Sequence, residues 1–218
     1  MNVAYCMDCM EGLRQYPDGF FDLAVVDPIY GDVPHGGYMS NTGGGIAGHT
    51  DYHNAVWEQE KTPPEYFTEL FRVSKNQIIW GGNYFMNEIG RSSPGWIIWD
   101  KCRPEGVNYA DCELAYTSFF EAARIFRYRW NGFIQQNMKN REVRIHPTQK
   151  PIDLYRWIFR NYAKPRYKIL DTHLGSGTSR RAAYDFGLDF VGFEIDRTYF
   201  DLQEKAFQEY TSQMRFDV

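Results

Sequence analysis

Apolar positions along this chain follow two alternating periods. Asp22–Val26 is a short run of apolar residues that stops at Asp27-Pro28, as expected of a strand buried on both faces and ended by a residue without a backbone N–H. Gln77–Trp80, Trp96–Trp99, Cys112–Phe119, Lys168–Leu170 and Asp189–Phe193 repeat that pattern with β-branched and aromatic side chains. Between them the spacing becomes helical: Tyr66, Phe67, Leu70, Phe71 and Val73 follow Pro63-Pro64, while Ile152, Tyr155, Phe159 and Tyr162 follow Pro151. Proline suits a first helical turn. Thr178 to Phe186 and Arg197 to Tyr210 complete the helical segments. Strands alternating with helices predict an α/β fold, a parallel sheet with both faces covered. From Gly31 to Gly48 seven glycines accompany Pro34, Ser40, Asn41 and Thr42, too costly in backbone entropy for regular structure. Residues 31–60 therefore read as a long loop: a mobile lid or binding loop, or a disordered segment.

Composition narrows the class. The 218 residues suit one domain, and 43% apolar with 24% charged content excludes disorder and fibrous repeats. No apolar run approaches the ~20 residues of a membrane span, and no signal-like start is present, so an unexported, cytoplasmic protein is expected. Cys6, Cys9, Cys102 and Cys112 do not form a disulfide framework, and the Cys6/Cys9 pair lacks a second close pair to complete a zinc site, so no metal is expected. A net charge of -4 argues against a uniformly basic coat. Aromatic content of 17% leaves rings available for stacking on ligands.

Three segments carry candidate chemistry. The first is Ile169-Leu-Asp171-Thr-His-Leu-Gly175-Ser176-Gly177-Thr178, followed by a second strand that ends at Glu194. A strand, glycine turn, helix and acid-tipped strand suit a nucleotide-type ligand, because glycines admit the backbone close to it and the acid accepts from ribose hydroxyls. A plain tight turn is the competing explanation. The third glycine of a dinucleotide fingerprint is missing, and no phosphate-binding lysine loop occurs, which disfavours NAD and ATP. The second segment is Asp27-Pro28-Ile29-Tyr30, at the carboxyl end of a strand, where open α/β sheets place ligands; a solvated strand-ending turn is the alternative. The third, His146-Pro147-Thr148-Gln149-Lys150-Pro151, reads by itself as a proline-flanked helix start.

Together these segments resemble the DNA amino-methyltransferases that make N6-methyladenine or N4-methylcytosine, with their DPPY-type tetrapeptide, DxFxGSGT turn and HPTQKP motif. The order DPIY, HPTQKP, glycine turn is similar to the beta-type arrangement of that family, and Asp8-Cys9, Gln77 to Phe85 and Trp96 to Lys101 resemble its minor motifs. Ile29 stands where a second proline is usual, and His173 where phenylalanine is usual. His173 is either a substituted packing residue or a polar contact near the cofactor.

The resemblance implies a Rossmann-like S-adenosylmethionine-dependent methyltransferase sheet flanked by helices, and a site-specific DNA methyltransferase acting on the N6 amine of adenine. Asp27 and the Pro28 carbonyl would accept the two amine N–H groups, drawing the nitrogen lone pair out of ring conjugation, while Tyr30 stacks on the flipped base. S-adenosyl-L-methionine would be met by Asp171, His173, Gly175, Ser176, Gly177 and Thr178 near its methionine end and by Glu194 at the ribose. Asp8-Cys9 would lie at its adenine edge, Thr148 and Lys150 at its carboxylate, and Asp27 beside it. Lys150 reads equally as a solvated charge at a helix start. Residues 120–150 carry the basic residues Arg124, Arg127, Arg129, Lys139, Arg141 and Arg144, interleaved with Phe126, Tyr128 and Trp130, the composition of a phosphate-contacting and stacking surface or of a solvated edge strand. The expected partner is DNA; the oligomeric state stays open between monomer and homodimer, as does a cognate restriction enzyme. The rival readings are cytosine-N4 methylation, an RNA or small-molecule amine methyltransferase, and a catalytically silent DNA-binding subunit.

Overall fold

The computed structural model describes residues 1–31, 61–104, 110–131 and 134–212; the loop expected over 31–60 lies, beyond Gly31, outside the described residues. The central strands are β1 (Asn2–Cys6), β2 (Leu23–Val26), β3 (Gln77–Trp80), β4 (Trp96–Asp100), β5 (Cys112–Thr117), β6 (Arg124–Arg127), β9 (Lys168–Asp171) and β10 (Asp189–Glu194). They form one sheet in the order β1-β10-β9-β2-β3-β5-β4-β6, while β7 (Trp130–Asn131) and β8 (Ile134–Gln135) make a separate small hairpin. The helices are α1 (Cys9–Leu13), α2 (Pro64–Val73), α3 (Met86–Ile89), α4 (Ile152–Tyr162), α5 (Thr178–Asp185) and α6 (Arg197–Ser212).

The alternation of side chains along each strand splits the core into two layers. Leu23 and Val25 of β2, Ile78 and Trp80 of β3 and Ile169 of β9 face α4 and α5, meeting Leu154, Ile158, Phe159, Ala182 and Ala183. Ala24, Val26, Ile79 and Leu170 face the other way, onto Leu13 of α1 and Tyr66, Phe67, Leu70 and Val73 of α2. Both faces being covered explains why these strands read as unbroken apolar runs. Leu70 is fully buried, and trimming it to Ala is expected to cost about 2–5 kcal/mol.

The sheet departs from the all-parallel expectation at one strand. β5 runs antiparallel to both β3 and β4. Only residues 101–111 join β4 to β5, too few for the helical crossover of a dozen or more residues that a parallel return needs. The start of β5 therefore lies with the carboxyl ends of the parallel strands. Two edge strands lie outside the apolar runs: β1, which pairs with β10 from Asn2↔Phe190 to Cys6↔Glu194, and β6, the solvated edge strand weighed for the basic segment, which pairs with β4 from Ile97↔Arg124 to Asp100↔Arg127. Both leave side chains exposed on a sheet edge.

β2 and β9 are neighbours, yet the chain leaves β9 toward β10 and leaves β2 toward β3. Such a reversal opens a crevice at the carboxyl ends of the two strands. Asp171 ends β9, and Asp27 follows β2.

Candidate active site

One side of this crevice is built on β9 and β10. Asp171 and Glu194 are their last residues, and both side chains are buried. The Asp171 carboxylate accepts the backbone N–H of His173 at 3.1 Å and the Ser179 hydroxyl. Burial raises its pKa to about 7 against the pull of those two donors, and the carboxylates of Asp27 and Glu194 add to the rise. Glu194 accepts the N–H groups of Gly175 at 2.7 Å and Asp196 at 2.9 Å, and burial pushes its pKa up as well. Each carboxylate oxygen has a second lone-pair direction, so these acids keep accepting capacity. Among the described residues no lysine or arginine forms an ion pair with either acid.

The glycine turn joins the two acids. Gly177 has φ +67° and caps α5, and a Cβ there would lie 2.9 Å from Gln203 Oε1, so both backbone angle and space call for glycine. The Ser176 and Thr178 hydroxyls bond to each other at 2.6 Å. His173 Nδ1 meets Thr172 Oγ1 at 2.9 Å, and that hydroxyl in turn meets the Tyr66 hydroxyl at 2.5 Å. The ring of His173 lies 5.4 Å from that of Tyr66, edge to face, and burial drives its pKa down to about 4, leaving it neutral at pH 7. Asp8 is the N-cap of α1, accepting from Met10 N at 2.9 Å and Glu11 N at 3.1 Å. Cys9 follows it; burial pushes its thiol up to about 12, which excludes a thiolate nucleophile.

The other side of the crevice is built on β2, β3 and β5. Asp27 Oδ1 accepts the Tyr30 hydroxyl, and Oδ2 accepts the Lys150 ammonium. Lys150 was expected at the cofactor's carboxylate. It is instead buried and committed to Asp27 and to Glu113 Oε2 at 3.1 Å, since a buried ammonium needs anions beside it. The other oxygen of Glu113 meets the Lys101 ammonium at 2.5 Å. The Tyr30 ring lies on the backbone of Gly81, where φ is +64° and a Cβ would run into the ring. Tyr84 flanks Tyr30 with ring centroids 5.1 Å apart. Burial and the Asp27 carboxylate hold the Tyr30 hydroxyl well above its ordinary pKa. Pro28 is buried behind this group.

The HPTQKP segment closes the crevice from one end. The His146 ring packs edge-on against Tyr199 at 4.3 Å and lies over Gly175, and its Nδ1 meets Thr148 Oγ1 at 3.1 Å. Gln149 accepts the Ile145 N–H at 3.0 Å through its side chain, and its carbonyl accepts the Trp130 indole at 3.0 Å. Thr148 is exposed.

The basic segment has a different geometry from the one expected. Arg124, Arg127, Arg129, Lys139 and Arg141 are exposed, with Arg127 3.3 Å from Asp100. The interleaved aromatics point inward instead of toward a ligand. Trp130 is buried, and Phe126 and Tyr128 stack on each other at 5.6 Å and pack against the core. Arg144 is half-buried with its guanidinium over Trp130 at 4.4 Å. Phe126 in β6, Tyr128 just after it and Trp130 in β7 turn inward, while Arg127 and Arg129 between them stay exposed. Sequence reasoning also passed over Gly81 and Glu113. The first was marked by two glycines directly after an apolar strand, the second by a lone acid inside one.

The residues fit a ligand that carries both cationic groups and a ribose: two buried acids with no cation beside them among the described residues, joined by a glycine turn. Comparison with known proteins agrees. A family model described as DNA methylase, of the N6/N4 type, matches residues 98–205. The type II methyltransferase M.HinfI of Haemophilus influenzae is 25% identical over 247 residues, covering 96% of this chain and 69% of that protein. In the crystal structure of the M1.HpyAVI–SAM complex the same fold recurs with a TM-score of 0.59 at 19% identity, covering 94% of this chain and all of the other. The PvuII DNA methyltransferase, cytosine-N4-specific, matches with a TM-score of 0.60 at 12% identity over 95% of this chain and 90% of its own. Over residues 98–205 the chain matches the N6/N4 DNA methylase family, and the solved structures that share its fold include a complex with S-adenosylmethionine.

Proposed function

We propose that the protein methylates the N6 amine of adenine in DNA, with Asp27, Pro28 and Tyr30 as the residues that meet the target base. The observation that carries this reading is the position of Asp27 at the reversal point of the sheet, directly beside the Asp171 half of the crevice. An exocyclic amine is a poor nucleophile because its lone pair is delocalised into the ring. Asp27 accepts one N–H and the Pro28 carbonyl the other, which favours a tetrahedral nitrogen with its lone pair available. The Tyr30 hydroxyl gives up its place on Asp27 Oδ1 as the amine arrives, and the Tyr30 ring, seated on Gly81, offers its face to the base. S-adenosylmethionine supplies an electrophilic methyl group in this crevice. Asp171, Gly175, Ser176, Gly177 and Thr178 hold its amino-acid end, and Glu194 its ribose, with His173 as a neutral wall. Asp8-Cys9 lie at its adenine edge and Thr148 at its carboxylate. Most of the rate comes from positioning, and no covalent enzyme intermediate is required.

Arg124, Arg127, Arg129, Lys139 and Arg141 contact phosphates, with Arg144 held by Trp130 at the border of that surface. The target base must leave the stack to reach Asp27. Adenine is preferred to cytosine because Asp, not Ser, opens the tetrapeptide, and because a purine gives Tyr30 a larger face to stack on. The enzyme acts in the cytoplasm of a bacterial or phage-infected cell. Incubating the chain with labelled cofactor on double-stranded DNA, single-stranded DNA and RNA, then digesting the product to nucleosides for mass analysis, tests the reading. N6-methyladenine in DNA is expected; N4-methylcytosine moves the base assignment, and no transfer to DNA overturns the function.

A further inference from the structure

The antiparallel course of β5 brings one more acid to the crevice. Glu113, near the start of that strand, pairs with Lys101 just beyond β4 on one side and with Lys150 on the other. Lys150 reaches Asp27 from there. The result is a row of alternating charge, Lys101, Glu113, Lys150, Asp27, ending at the Tyr30 hydroxyl. Side-chain exposure along the row is 12% for Lys101, 26% for Glu113, 5% for Lys150 and 18% for Asp27. Both ammonium groups also stand over indoles: Lys101 5.1 Å from the Trp99 ring and Lys150 5.3 Å from Trp80. Solvent therefore supplies little of what Lys150 needs.

We propose that Glu113 is a positioning residue for methyl transfer: its carboxylate stands 3.1 Å from the Lys150 ammonium as a second anion, so that Lys150 braces Asp27 Oδ2 and leaves Oδ1 to accept the target amine. The proposal rests on the reading of Asp27 given above. With Glu113 absent, a single anion would face the buried Lys150, and its ammonium would draw over both oxygens of Asp27, weakening the carboxylate as an acceptor. Tyr30 and Tyr155 are the neutral titratable groups facing the row, and His146 and Asp171 flank it from the HPTQKP segment and β9. Burial alone would raise the pKa of Glu113, but Lys150 and Lys101 hold it down to about 2. For Lys150, burial is outweighed by Asp27 and Glu113, and its pKa lies above the ordinary lysine value.

The test uses the full chain with 15N-labelled lysine, following the Lys150 ammonium by NMR across pH, with Lys150→Arg used for assignment. Glu113→Gln removes an anion and is expected to lower the Lys150 midpoint; Lys101→Met removes a competing cation and is expected to raise it. Midpoints that stay put, or move the same way in both variants, overturn the proposal whether or not the chain methylates DNA. General disruption of packing would not produce opposite shifts, and Lys101→Met keeps the test alive should Glu113→Gln fail to fold. In methyl transfer to unmethylated double-stranded DNA, Glu113→Gln should lower kcat about tenfold, with cofactor affinity by calorimetry within about twofold of the parent. Its kcat–pH profile should lose its alkaline limb at lower pH, and Glu113→Asp should recover part of the rate. A matching loss of cofactor affinity would overturn the positioning role. A parent chain that transfers no methyl group to DNA overturns the functional reading, and opposite shifts at Lys150 would still support the brace.

Discussion

Four acids point into one crevice, and its two halves treat them oppositely. Asp171 and Glu194, at the ends of β9 and β10, are buried among hydroxyls and backbone amides with no described cation beside them, and both have raised pKa values. Asp27 and Glu113, at the ends of β2 and β5, share Lys150 between them, and Glu113 titrates near the bottom of the carboxylate range. A half whose acids lack cations is prepared for a ligand that brings its own. A half that already contains its cations is prepared for a neutral ligand that donates hydrogen bonds to a carboxylate. The sulfonium and ammonium of S-adenosylmethionine match the first, and an exocyclic amine matches the second.

The sharpest way to break this contrast is Asp27→Ala. It should reduce methyl transfer by at least ~10²-fold while retaining most cofactor affinity, because in the proposed reading Asp27 meets the reacting amine and not the cofactor. Label transfer paired with calorimetry separates the two quantities. Surviving activity would mean that DPIY is not the catalytic tetrapeptide.

The complementary change is in the other half. Glu194→Ala should weaken cofactor binding by about 1–3 kcal/mol, because the ribose loses a charged acceptor and the Gly175 N–H loses its partner. The half should also respond to pH. The folded pKa of Asp171 is raised to about 7 from 3.8, so its contribution to apo stability is fully present below 3.8 and is lost as pH rises through 7. A cationic ligand selects the ionised form, so cofactor affinity should climb with pH and level off above about 7, with proton release on binding at pH 6. Calorimetry in buffers of differing ionisation enthalpy measures that release. Asp171→Asn should remove both the climb and the release.

How legible these halves were in the sequence follows from how local their causes are. Asp171, the glycine turn and Glu194 occupy one strand–turn–helix–strand unit, where the acid and the glycines sit at fixed spacing. Asp27 was legible for the same reason, as an acid placed directly after an apolar run. Glu113 was not, because its place in the crevice depends on β5 running antiparallel, which is a property of the β4–β5 connection and not of the strand itself. Gly81 was not either, because the ring that forbids a side chain there belongs to Tyr30, fifty-one residues earlier. Phe126, Tyr128 and Trp130 misled for a different reason: alternation with arginine looked like a mixed surface, when the three rings turn onto the core from β6, the residues after it and β7.

That last correction sharpens the DNA interaction. With the aromatics turned inward, the exposed basic residues proposed to meet DNA would act through charge alone, so affinity for DNA should fall steeply with salt. Replacing Arg127, Arg129 and Arg141 by Gln should flatten the plot of log affinity against log salt by about 0.9 for each phosphate no longer neutralised. Fluorescence anisotropy with labelled duplex over a salt series reads the slope directly, and an unchanged slope would move the DNA surface off β6.

The smallest effect concerns His173, where the family's usual side chain is phenylalanine. Its ring sits edge-on to Tyr66 and its Nδ1 meets Thr172 Oγ1, so it packs and makes a polar contact within the chain. Burial lowers its folded pKa to about 4 from 6.5. A depressed folded pKa means that its contribution to stability is present above 6.5 and is lost as pH falls through 4. His173→Phe keeps a ring of similar shape against Tyr66, gives up one hydrogen bond and removes the titration. At pH 7.5 the variant should differ in stability by no more than about 1 kcal/mol. Between pH 6.5 and 4 it should lose less stability than the parent, the residual acid sensitivity coming from His146, whose pKa burial also lowers to about 4. Denaturant melts at pH 7.5, 6 and 4.5 give both numbers. Parallel pH dependence in the two proteins would mean that His173 titrates as an exposed imidazole, and that the wall of the cofactor half is wetter than its geometry implies.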